Sequence, residues 1–430
     1  MRRIRILTIL FPVLVAAVLA LSSAATVRAQ VKPGDQINPD QSDKVKDLVS
    51  PGTLYKVRNG MSMKITPTER IDWPPPFKEA TEKYAGQCRL SSDHRSLLGY
   101  VAGQPFPLID PNDPDVGIKI AWNNQYRPLL GDDYDLRFFD CETVYGGLNK
   151  PYDVVYDITV GHYSGYSYVN RTEVEPMPVD PVFKEEGVLW GWLSGPVLAP
   201  QQHRGIGGLR LRFADPKKPD AFWGWVPGAR RIRRFNDAFE SMSTFPFPWN
   251  PDHYSGFVAK PEQYNYKFLG EKNMLAPMHA AHSPEAPCAT DGGASACPEN
   301  WEIRHLYVVE ATPRSGVSGN ALHSKTIMYM DGEVWWMPMI DNYDRKGLLW
   351  ENYVYFLAYR DRPVPDARIA IYPFKRAFVV GAASTDVQSG QTSMCYLPSP
   401  HAPEKECWYI SMGALTNADM RPESLQNRGQ

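Results

Sequence analysis

Residues 327–330, 334–337 and 353–359 are apolar at every position. A strand with one face in water alternates apolar and polar residues, so runs of this kind call for a sheet covered on both sides. The first two runs meet at Asp331-Gly332, a pair that favours a two-residue hairpin, and are expected to form one. The cover over the second face is either a helix or loop of the same chain or a ligand in a cavity that several such strands line together.

Elsewhere the strand pattern is half-buried. Tyr152, Val154, Tyr156, Ile158 and Val160 alternate with Asp153, Asp157 and Thr159, and Leu209, Leu211 and Phe213 alternate with Arg210 and Arg212. The 39 prolines, 32 glycines, 23 tyrosines and 12 tryptophans among 430 residues suit many strands joined by structured loops. Without an internal repeat of solenoid or propeller length, one long, curved, mostly antiparallel sheet is the simplest architecture. The fold class is mainly β with α decorations.

The N-terminus carries Arg2, Arg3 and Arg5, an apolar run over 6–21 and small residues up to Ala29, the layout of a cleavable signal peptide over 1–29. A membrane anchor is the competing reading, but the run is shorter than the ~20 residues that span a bilayer. With no cysteine near the cleavage site the mature chain is expected to be periplasmic and not a lipoprotein. Residues 30–149 read as helical and loop-rich. Asn38-Pro39-Asp40 starts a short helix that Pro51-Gly52 ends, residues 77–87 form a second helix, and GQPFPLIDPNDPDVGIKIAWN reads as connection. Residues 150–430 are β-rich and form one domain with the segment before them.

The even set Cys88, Cys141, Cys288, Cys297, Cys395 and Cys407 suits disulfides in an oxidising compartment. Spacing along the chain favours Cys288 with Cys297 and Cys395 with Cys407, which leaves Cys88 for Cys141. Zinc is the alternative for these thiols, but no CxxC pair is present. A formal charge of −2 gives no footprint for nucleic acid.

Catalytic motifs are missing. Gly161-His162-Tyr163-Ser164-Gly165 lacks the spacing of a nucleophile elbow and is expected to end a strand. Gly205-Ile206-Gly207-Gly208 begins like a dinucleotide fingerprint but runs into a strand. His279 and His282, with Glu285 nearby, show no further metal ligand. The acidic groups Asp110, Asp113, Asp115 and Asp132, Asp133, Asp135 read as solvated turns, with calcium as the alternative. No catalytic residue, metal or cofactor is assigned.

Residues 222–235, FWGWVPGARRIRRF, place an aromatic strand, a Pro227-Gly228 turn and an arginine-rich strand in succession. Trp223 and Trp225 share one side of their strand, and Arg231 and Arg233 one side of theirs. The arginines either cover apolar surface with their stems or meet an anionic head at a rim. Together with Tyr329, Trp335, Tyr353 and Tyr355 from the all-apolar runs, these four are the candidate ligand contacts.

The succession of GQPFPLIDPNDP, WGWVPGARRIRR, PEQYNYKFLGEKNMLAPMH and HSKTIMYMDGEVWWMPMIDNYDRKGLLW resembles the exported bacterial family called domain of unknown function 1329. The resemblance implies a half-open antiparallel barrel of the LolA/LolB type, with helices across its concave face. It also implies a periplasmic carrier of a lipid, acyl chain or other hydrophobic compound, working with a resistance-nodulation-division transporter or an outer-membrane component, and not an enzyme. The alternative is a structural or interaction protein of the envelope whose second sheet face is covered by the chain itself, and a lipid-modifying enzyme ranks behind both.

Overall fold

The computed structural model describes residues 31–144, 154–236, 249–281, 299–316, 322–397, 399, 402 and 407–428. The signal-peptide reading over 1–29 falls outside the described residues. The sheet is built from β1 Asp133–Val144, β2 Val154–Ser167, β3 Val188–Ser194, β4 Gly207–Phe213, β5 Ala221–Val226, β6 Arg231–Phe235, β7 Tyr264–Ala276, β8 Glu299–Pro313, β9 Lys325–Asp331, β10 Met339–Tyr343, β11 Leu349–Arg360, β12 Arg376–Asp386 and β13 Gln391–Tyr396. The helices are α1 Pro51–Arg58, α2 Pro75–Tyr84, α3 Val116–Gln125, α4 Pro181–Glu186 and α5 Pro422–Arg428.

These strands pair in the order β6-β5-β4-β3-β2-β1-β13-β12-β11-β10-β9-β8-β7, antiparallel throughout. The chain meanders outward from β1 to β6, crosses to the far edge, and meanders back from β7 to β13. Among the described residues β6 and β7 each pair on one side only, so the sheet stays open, a half-barrel. Its seam is the β1–β13 pair, and there Cys141 faces Cys395 in register and bonds to it.

That bond corrects the pairing read from chain spacing. Cys141 and Cys395 take each other, so Cys395 does not serve Cys407, which is buried, and Cys141 does not serve Cys88, a half-buried thiol. The strands bring together residues 254 positions apart, a proximity that local spacing cannot show. Cys288 and Cys297 lie outside the described residues.

Other readings change for local physical reasons. Pro51-Gly52 begins a helix: Ser50 caps α1 by accepting the Thr53 amide at 3.2 Å, with proline at the first helical position. VGIKIAWN is helix α3, buried along most of its length. Asp133 and Asp135 belong to the central strand β1, not to solvated turns, and with Asp132 they are buried. Asp132 and Asp133 take the amides of Thr172, Glu173 and Val174 and of Gly413 and Ala414, and Asp135 holds His162, Ser164 and Arg137. Residues 161–165 continue β2 instead of ending it. A side chain at Gly165 would lie 2.2 Å from the Tyr134 ring, so glycine there lets the ring pack on the strand.

The expected hairpin at Asp331-Gly332 does not form, since β10 starts only at Met339. Asp331 accepts the amides of Glu333 and Val334 at 2.9 and 3.1 Å, holding a turn that drops Trp335 and Trp336 into the core. Residues 353–359 do lie within β11, buried over most of that stretch. α1 covers one of its faces: Asn352 and Asp341 bond the Ser50 hydroxyl, and Asp341 also bonds the Gly52 amide. The other face, with Tyr353 and Tyr355, is covered by residues 249–258.

Candidate functional site

β6 and β7 lie at opposite edges, so the chain between them must cross the sheet. Within the described part of that crossing, residues 249–258 form a strap. Trp249 packs against Tyr353 at 5.2 Å and Tyr355 at 6.2 Å, while the His253 ring stacks on Tyr353 at 4.6 Å. On the other half of the sheet Tyr254 meets Trp192 at 5.7 Å, and Ser255 hydrogen bonds the Tyr163 hydroxyl at 2.6 Å.

Polar pins hold this strap down. The buried Arg210 joins Asp220 at 2.8 Å to Asp252 at 2.7 Å, and Arg212 bonds Asp220 and the Val258 carbonyl. Burial alone would raise the Asp220 carboxyl, but Arg212 and Arg210 outweigh it and hold it low. The pattern Leu-Arg-Leu-Arg-Phe therefore has no wet face, because its arginines are buried under the strap. α3 contributes from its C-terminal end, where Asn124 bonds the Phe257 carbonyl at 2.8 Å and Gln125 the Ala259 carbonyl at 3.2 Å. His253 donates through one ring nitrogen to Asn250 at 2.8 Å and accepts from Asn342 at 3.1 Å, which fixes it neutral. Burial, with His323 adding to it, pushes its imidazole down to about 3.

Between strap and sheet lie adjoining cavities. The most apolar, about 100 Å³, is lined by Leu136, Phe139, Ile158, Val160, Val379, Ala382, Leu397, Trp249, Trp336 and Trp408, with the Cys141–Cys395 bond in its wall. Leu130, Tyr163 and Ser255 separate it from a second of about 90 Å³, lined by Arg127, Tyr134, Tyr166, Trp190 and Trp192. Beyond the strap, Gln125, Tyr126 and Trp190 are shared with a third of about 280 Å³, which has Arg212, Lys260 and Glu262 in its wall and no residue of the strap. The row grades from apolar to charged.

The sequence-chosen contacts are distributed differently. Trp223 and Trp225 pack with Leu209, Leu211 and Leu425 of α5 in a separate small core. Their cross-strand partners are Arg234 and Ile232, whereas Arg231 and Arg233 pair with Val226 and Gly224, so the two rings fall on the face opposite Arg231 and Arg233. Arg231 and Arg233 are exposed on the edge strand. Tyr329 is buried beside Asp341, and Trp335 stacks on Tyr307 at 5.6 Å. Tyr353 and Tyr355 lie beneath the strap, with their hydroxyls on Glu351 and the His253 carbonyl. The cavity walls are instead drawn from β1, β2, β12 and the strap. Ile158 and Val160 were visible as the apolar side of an alternating strand, but nothing in the sequence marked the strap or Arg127. His279 pairs with Glu302 at 2.9 Å, and His282 lies outside the described residues.

Fold and hollow together define an open antiparallel half-barrel closed over its inner side by a strap of its own chain. The chain belongs to the family described as protein of unknown function DUF1329, whose model matches residues 36–424. An uncharacterized protein of Pseudomonas aeruginosa is 22% identical over 369 residues, 78% of this chain and 72% of that one. Among solved structures, an outer membrane lipoprotein-sorting protein domain from Vibrio parahaemolyticus is similar at 15% identity and a TM-score of 0.46, covering 72% of this chain and 98% of that one. A DUF1329 family protein from Desulfovibrio piger is similar at 14% identity and a TM-score of 0.44, covering 69% and 92%. A LolA superfamily protein from Nitrosomonas europaea is similar at 11% identity and a TM-score of 0.36, covering 70% and 94%.

Proposed function

We propose that the chain is a periplasmic carrier that shelters a lipophilic molecule beneath the strap and passes it to a membrane exporter or an outer-membrane component. The observation that carries this reading is the pair of adjoining cavities between strap and sheet, apolar at the end walled by Leu136, Ile158, Val160 and Trp408. Burial of the ligand's apolar surface there supplies affinity at about 25 cal/mol per Å², less the cost of ordering it. The cavities are small individually, so a long ligand enters only as the strap lifts and the spaces merge. We assign no catalytic step to the hollow. Solvent extraction of the purified protein followed by mass spectrometry tests the reading. A stoichiometric lipophilic compound supports it, and an extract free of one counts against it.

One observation favours a second reading, an envelope interaction protein. Arg231 and Arg233 are exposed on the open edge strand β6 with no acidic partner among the described residues, which suits an acidic partner surface. Charge reversal at both positions, with capture of partners before and after, separates the two readings: loss of partners with lipid content unchanged favours this one.

A further inference from the structure

The hollow contains a cation without a counter-charge among the described residues. Arg127 lies just past α3, 8% exposed, in the wall of the middle cavity. Its terminal nitrogens donate to the backbone carbonyls of Asn124 and Ser255, the latter at 2.6 Å, and its guanidinium lies over the Trp336 ring at 4.8 Å. Its Nε has no partner, and no carboxylate pairs with it among the described residues. Other buried arginines are treated differently. Arg210, Arg212, Arg304 and Arg376 are each paired to an Asp or Glu, and Arg171 spends its donors on carbonyls of Pro176, Asp132, Ser167, Val174 and Glu175.

The same walls carry further donors with nothing to donate to. Trp192 Nε1 is unpartnered in the middle cavity, and Trp249 and Trp336 Nε1 are unpartnered in the apolar one. No fully buried side-chain acceptor is left unpartnered among the described residues of either wall. Buried polar groups are costly unless hydrogen bonded, and a buried charge more so unless paired. An apolar guest leaves every one of these donors unmet. An alcohol supplies one acceptor and no charge, whereas an oxyanion supplies several acceptors and the missing negative charge, in a geometry that a guanidinium fork matches.

Resting on the carrier reading, we infer that the cargo is an amphiphile with an anionic oxygen head, a carboxylate or a phosphate, set against Arg127 while its tail fills the apolar cavity along Ile158 and Val160. The tryptophan N–H groups line the path between head and tail. Arg127 also ties the strap through the Ser255 carbonyl, so arrival of the head competes with that tie and links head binding to strap movement.

Isothermal titration of the purified mature chain with decanoate, decyl phosphate and decanol tests the assignment. The anions are expected to bind tighter than decanol by about tenfold to a hundredfold, the range of a charge-assisted hydrogen bond. Arg127→Gln is expected to bring them to the level of decanol binding by the same variant. The ranking of decanoate against decyl phosphate identifies the head. Equal affinity for all three probes, or an anion preference that survives Arg127→Gln, overturns the inference and leaves the carrier reading standing. No binding by any probe removes the carrier reading and the inference with it. The wild-type ranking requires no variant, so equal affinities there overturn the inference even where Arg127→Gln does not fold.

Discussion

The seam between the two meanders is held by β1–β13 hydrogen bonds and the Cys141–Cys395 bond, and removing that bond should loosen the sheet at its centre. The disulfide closes a loop of 254 residues. Loop-closure entropy for that length corresponds to ~5.5 kcal/mol at 25 °C, and measured disulfides commonly contribute about 2–4 kcal/mol. With ~2.1 cal/mol/K of unfolding entropy per residue, the Val31–Gln430 unit has on the order of 0.8 kcal/mol/K. The double variant Cys141→Ala with Cys395→Ala should therefore melt about 3–7 °C below wild type. Calorimetry with and without a reductant gives the comparison: reductant should lower the wild-type melting temperature and leave the variant unchanged. Hydrogen exchange should also quicken first at residues 391–396 and along the facing end of β1, since these amides lose their cross-link. Melting temperatures within about 1 °C of each other, with equal exchange at the seam, would refute the reasoning.

Two further outcomes follow from the strap and from α1. His253 is buried neutral with its imidazole held at about 3 against an ordinary 6.5, so its contribution to stability is complete above pH 6.5 and is lost as pH falls from 6.5 towards 3. Unfolding free energy followed across that window by chemical denaturation should fall more steeply for wild type than for His253→Gln, by up to on the order of 5 kcal/mol at the acid end; parallel curves would contradict it. Gly52→Ala would put a methyl 2.4 Å from the Asn352 Cβ and 2.5 Å from an Asp341 oxygen, and should cost about 1–3 kcal/mol in chemical denaturation. Gly86→Ala, which meets nothing within 4 Å, is the control and should stay within about 0.5 kcal/mol of wild type.

The architecture was legible where apolar periodicity alone decides the structure. Residues 353–359 demanded cover on both faces, and α1 and the strap provide it. The 222–235 segment was readable as strand, turn and strand because Pro227-Gly228 interrupts it. Long-range pairing was not legible. Arg210 and Arg212 read as a wet face because their partners Asp220 and Asp252 arrive from other segments, and Cys141 meets Cys395 only through strand register. β1 was read as acidic turns although Tyr134 and Leu136 already alternate with Asp133 and Asp135; Asp133 is consumed by loop amides and Asp135 by side chains of β1 and β2, which no spacing in β1 announces. Arg127 carries no motif, and its interest comes entirely from being buried where no carboxylate of the described residues reaches it.

The central claim is that the space beneath the strap holds a lipophilic ligand, and titration of the purified protein with a fluorescent fatty acid tests it most directly, with Val160→Trp as the control that fills the apolar cavity. Saturable binding at one site, abolished by Val160→Trp in a variant that keeps the wild-type melting temperature, is the predicted result. Absence of saturable binding, or binding that Val160→Trp leaves unchanged, would contradict the account.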